Sequence, residues 1–137
     1  MLIIELTIVQ GVRYVVDMKE FIEKSIKELV VDSQNTKYRE PIVAFADVDD
    51  PEFMTIKDIT HEKHLLPKEW MPEGKTVVSF FIPFAKELMQ INKKAEYVAR
   101  EWAVAYIETN NMIKEICTIM AEKIRYRRCM AAACREL

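Results

Sequence analysis

The sequence predicts an α+β fold: a small, largely antiparallel sheet packed by helices, with a long helix at the C-terminal end. Two observations carry this. Two short apolar runs, Pro41 to Val48 and Thr76 to Ile82, have the length and β-branched or aromatic content of strands. Two longer stretches, Lys19 to Val31 and Ala95 to about Arg127, repeat their apolar residues at three- and four-residue steps, the helical period. At 137 residues the chain is long enough for one domain with a real core.

In chain order, Leu2 to Val9 is rich in Ile, Leu, Val and Thr and reads as a strand or an apolar arm, interrupted by Gly11. Residues 1–17 are therefore expected as an arm and 18–137 as a single α+β domain. The first helix follows, with Phe21, Ile22, Ile26, Leu29 and Val30 on its stripe. Asp32-Ser33-Gln34-Asn35 ends it in turn-prone residues. The apolar run Pro41 to Val48 suggests a strand covered on both faces. Phe53 to His64 reads as loop with a short helix. Two prolines limit Leu65 to Pro72 to one or two helical turns. Pro83 ends the pairing of the second strand or places it at an edge. On the long helix, Val98, Trp102, Ala105, Tyr106, Met112, Ile113, Ile116, Met120 and Ile124 form the expected buried stripe, with Trp102 as a core anchor. Thr109-Asn110-Asn111 is its expected weak point, because such side chains compete for backbone hydrogen bonds.

Composition excludes several function classes. The net charge of −2 gives no overall bias toward nucleic acid, and the basic residues Lys123, Arg125, Arg127, Arg128 and Arg135 near the tail read as a solvated helix end. Two glycines, Gly11 and Gly74, cannot build a phosphate-cradling loop or a dinucleotide fingerprint. Cys117, Cys129 and Cys134, spaced C-x11-C-x4-C, form neither a disulfide framework nor a tight cluster motif, so they are expected to be unligated. Met1 to Val16 is too short to span a bilayer and lacks a basic leader, so a cytoplasmic home without membrane contact is expected.

Four constellations are candidates for chemistry. His61 and His64 stand three apart, as two metal ligands on a helix face do, but two histidines alone favour exposed or capping roles. Asp47, Asp49, Asp50 and Glu52 crowd one turn without the spacing of a calcium loop, which favours a capped, solvated turn. Trp70, Trp102, Phe80, Phe81, Phe84 and Tyr106 read either as core or as the floor of a flat cofactor. Tyr106 and Glu108 are the candidate catalytic pair, a carboxyl beside a tyrosine being suited to proton delivery. Two positions apart on a helix point to opposite sides, so at most one is expected to serve a given pocket.

Ala44-Phe45-Ala46-Asp47, His64-Leu65-Leu66-Pro67, Gly74-Lys75-Thr76-Val77-Val78-Ser79-Phe80-Phe81-Ile82-Pro83-Phe84 and Arg100-Glu101-Trp102-Ala103-Val104-Ala105-Tyr106-Ile107-Glu108-Thr109-Asn110 together carry a resemblance to the epoxyqueuosine-reductase-like iron–sulfur proteins. It spans roughly Ile42 to Ile124. It implies a two-part redox enzyme: an α/β N-terminal region followed by a ferredoxin-like part bearing C-x2-C-x2-C-x3-C-P. In the epoxyqueuosine reductases proper, a cobalamin sits between the parts. The cluster motif does not occur in this chain, and Arg125-Tyr126-Arg127-Arg128-Cys129-Met130 departs from the pattern. The resemblance thus implies the N-terminal domain of such an enzyme, inactive alone, which is a truncated gene product, a natural fragment or a half that needs a partner, with no cofactor expected in this chain and cobalamin when it is paired with a cluster-binding half. The alternative is a non-catalytic interaction domain that dimerises through its apolar arm and long helix. Both readings expect a homo-oligomer or a partner domain.

Overall fold

The computed structural model describes residues 4–5, 12–31, 36–60 and 62–127. The fold is α+β. Its elements run β1 (Ile4–Glu5), α1 (Val12–Val31), β2 (Ile42–Asp47), a 3-10 turn (Pro51–Thr55), α2 (Ile56–Ile59), α3 (Pro67–Trp70), β3 (Thr76–Phe81), α4 (Lys86–Lys94) and α5 (Arg100–Tyr126).

The sheet is antiparallel, in the order β1-β3-β2. β3 is central because it has the longest unbroken β-branched and aromatic run, and it pairs with all of β2 from Ile42 opposite Phe81 to Asp47 opposite Thr76. β1 pairs Ile4 with Val78 and Glu5 with Val77. The period of two then sorts the side chains. Val78, Phe80 and Ile82 face the main core, with Val43 and Phe45 beside them. On the other face Val77 and Val48 pack with Ala46 and with Phe53 of the 3-10 turn.

The main core lies between this sheet and two helices. α1 contributes Met18, Ile22, Ile26 and Val30, four residues apart on one face, and α5 contributes Ile116, Cys117, Met120, Ala121 and Ile124. The buried Cys117 serves here as a small apolar side chain. Beyond β3 the chain keeps pairing. Ala85 donates to the Lys37 carbonyl at 3.0 Å and Arg39 to the Pro83 carbonyl at 2.8 Å, around a Tyr38–Phe84 bridge. Pro83 contributes only its carbonyl, so the ladder passes it without needing the N–H it lacks.

Several expectations are corrected. The first helix begins at Val12 rather than Lys19. β2 is an edge strand rather than a strand covered on both faces, and its Ile42 is 62% exposed. The last long helix starts at Arg100, not Ala95, because a separate helix, α4, precedes it and closes at Ala95. α5 is continuous through Thr109, whose hydroxyl bonds back to the Ala105 carbonyl at 2.6 Å and is thereby satisfied within the helix. Its buried stripe is Ala105, Thr109, Ile116, Cys117, Met120, Ala121 and Ile124; Val98 and Tyr106 are exposed and Trp102 is only half-buried.

Candidate functional site

A groove of about 630 Å³ opens between α4, the start of α5 and the segment leading into Tyr38. That volume is in the range of small-molecule sites. Its floor is one face of α5, where Glu101 and Glu108 each stand three or four residues from both Val104 and Ala105. α4 forms one wall with Leu88 and Ile91, and Thr36 and Lys37 form the other.

α4 exists because Ala85 follows the Phe84 bridge out of the sheet and the sequence then has good helix formers, with Glu87 in the first turn and Lys93 and Lys94 in the last. The hairpin to α5 is fixed where the Asn92 side chain accepts from the Ala99 backbone N–H at 3.1 Å. That bond sets the angle at which the two helices open the groove.

Two hydroxyl contacts tie the 36–39 segment to α5. Thr36, almost wholly buried, donates from Oγ1 to Oε2 of Glu108. Tyr38 and Thr109 are joined through their hydroxyls at 2.8 Å. The single Thr109 hydroxyl proton goes to the Ala105 carbonyl, so Tyr38 is the donor in that pair. Tyr38 also stacks on Phe84 at 6.0 Å between centroids, and Phe84 meets Trp102 edge-on at 5.0 Å. Glu108 is therefore held at the groove by a buried partner, on a helix face locked from behind. Lys37, Arg100, Glu87 and Glu101 complete the lining with charges of both signs.

The structure separates the predicted pair. Glu108 lines the groove, whereas Tyr106 is 61% exposed and is not part of the lining. The aromatic set does not form one floor: Phe80 is in the core, Phe81 is exposed, Trp70 is on α3, and Phe84 and Trp102 pair with each other. The acidic turn is a capped turn, with Asp47 accepting from the Asp49 N–H at 2.9 Å, Asp50 from the Glu52 N–H at 3.0 Å, and Lys68 pairing with Asp49. His64 is half-buried, and no group of three or more His, Cys, Asp or Glu side chains suits a metal among the described residues. His61, Arg128, Cys129, Cys134 and Arg135 lie outside the described residues. No helix among the described residues is long and apolar enough to cross a membrane.

Thr36, Lys37, Tyr38, Leu88 and Ile91 are the site residues that sequence reasoning missed. For the last two a signal exists: Leu88 and Ile91 stand at helical spacing between an acidic first turn and a basic last turn. Comparison with known proteins identifies no relative: no family model, no curated protein and no solved structure matches this chain.

Proposed function

We propose that this chain is the N-terminal domain of an iron–sulfur, corrinoid-dependent oxidoreductase, inactive alone, and that it presents one wall of a cofactor site through the α4–α5 groove. The observation that carries the reading is Glu108, held by the buried Thr36 in a groove built on the Arg100 to Asn110 stretch that bears the resemblance. The residues suit the edge of a corrinoid. Leu88, Ile91, Val104 and Ala105 offer apolar contact, while Lys37, Arg100 and Glu108 supply donors and acceptors for peripheral amides. At about 630 Å³ the groove is too small to enclose such a group, which fits a wall that a second half completes.

When bound, a corrinoid supplies a metal centre able to accept and pass electrons. This chain's own contribution is to bind and orient. Glu108 is its candidate proton carrier, because a carboxyl facing the groove can hold or release a proton toward an occupant. Thr36 keeps that carboxyl in one position. Tyr106 stands outside the groove, so the proton role falls on Glu108 alone.

The test is an anaerobic titration of the purified chain with cobalamin, followed by corrin absorption. A saturating spectral change that weakens in Leu88→Glu supports the reading. An unchanged corrin spectrum at high protein concentration removes it and leaves the second reading, a non-catalytic dimerising domain. That reading is favoured by the exposed Val104 and Ile107 on α5.

A further inference from the structure

α5 changes character along its length. Beyond Ile113 its exposed positions include Lys114, Glu115, Thr118 and Glu122, an ordinary solvated face. In its first turns the exposed positions are the charged Arg100 and Glu101 and then Ala103, Val104, Tyr106 and Ile107, with Val104 45% and Ile107 61% exposed. A helical stretch that is apolar all round is normally enclosed on every side. Here Ala105 and Thr109 are the buried members of that stretch.

Four exposed residues on this part of α5 form a line. Arg100, Val104, Ile107 and Asn111 follow each other at steps of four, three and four, the seam spacing of paired helices. The line reads the same in both directions: a polar end, two apolar residues, a polar end. An antiparallel second copy centred between Val104 and Ile107 therefore sets Val104 against Ile107 of the second copy. It also sets Arg100 against Asn111 of the second copy, whose side-chain carbonyl accepts from a guanidinium. A parallel pairing would oppose Arg100 to Arg100 and align the two helix dipoles. Charge thus selects the antiparallel arrangement.

We propose that the chain forms a two-fold dimer with α5 packed antiparallel on α5 along Arg100, Val104, Ile107 and Asn111. The partner is a second copy because the line complements itself. A seam this short falls below the roughly 800 Å² per partner of a standard interface, so the dimer is weak, with dissociation on the micromolar scale. Arg100 and Val104 also line the groove, so the second copy covers one edge of it.

Sedimentation equilibrium of the full chain over roughly 1–100 μM reads the proposal. The parent should shift from monomer to dimer across that range, and Ile107→Glu should remain monomeric throughout. Asn111→Arg should raise the dissociation constant about tenfold by opposing two guanidiniums, Asn111→Glu should lower it, and the double change Arg100→Glu with Asn111→Arg should restore parental behaviour. These side chains are exposed, so circular dichroism should be unchanged in every variant. A parent that stays monomeric, a dimer indifferent to Ile107→Glu, or equal effects of Asn111→Arg and Asn111→Glu would each overturn the interface. The cobalamin titration repeated on Ile107→Glu should saturate at lower cobalamin than the parent, because the monomer leaves Arg100 and Val104 open; sedimentation alone reads the dimer, so its failure and failure of the groove reading are separately visible.

Discussion

Truncating Met120, Trp102 and Tyr106 singly to alanine tests which face of α5 is buried. Met120 is fully buried between α1 and the sheet, so its loss should cost ~2–5 kcal/mol from transfer and the cavity left behind. Trp102 is half-buried and meets Phe84 edge-on. A fully buried aromatic costs ~3–5 kcal/mol, of which the edge contact accounts for ~0.5–1.5 kcal/mol, so about half the full cost, ~1.5–2.5 kcal/mol, is expected. Tyr106 is exposed, and its loss should stay within ~0.5 kcal/mol. Against a total stability of ~5–15 kcal/mol these three are separable by urea unfolding followed by circular dichroism, provided the slopes agree. The expected order is Met120 above Trp102 above Tyr106. If Tyr106→Ala costs as much as Met120→Ala, the helix is rotated toward the stripe that the sequence spacing suggests, and the groove assignment fails with it.

Other consequences are smaller. Tyr38→Phe removes one hydroxyl donor and should cost ~1 kcal/mol in thermal or urea unfolding, whereas Thr109→Val also strands the Tyr38 hydroxyl and should cost more, ~1–3 kcal/mol; equal costs would contradict the donor order. The Glu69 carboxyl accepts the Leu66 backbone N–H and pairs with Lys57, and both hold it below the usual glutamate range. Its contribution to α3 is complete above the unfolded value of about 4.3 and fades as pH falls through the lower folded value, which NMR titration of the carboxyl carbon should show. After anaerobic reconstitution the purified chain should hold only background iron and acid-labile sulfide, because three irregularly spaced cysteines do not supply a cubane's ligands; stoichiometric iron lost on Cys→Ser change would contradict this.

The parts of the fold legible in the sequence are those with an unambiguous period. The Ile22, Ile26 and Val30 face of α1, the Val78, Phe80 and Ile82 face of β3 and the Ile116, Met120 and Ile124 face of α5 all follow from spacing alone. The first turns of α5 were misread for a physical reason. Ala103 to Ile107 is apolar at every position, so spacing does not say which residues face inward; Ala105 is the buried one. β2 looked doubly covered because its apolar run matches a central strand, yet it lies at the sheet edge. Glu108 was legible as a polar residue on a largely apolar helix. Its partner Thr36 was not, because a contact across 72 positions leaves no local trace.

The most direct test of the proposed function is the anaerobic cobalamin titration, run on the parent chain and on Leu88→Glu. The account predicts a saturable change in the corrin spectrum of the parent and a weaker one in the variant, whose added carboxylate falls in the apolar wall of the groove. A corrin spectrum that the parent leaves unchanged, or one that both proteins shift equally, would contradict it.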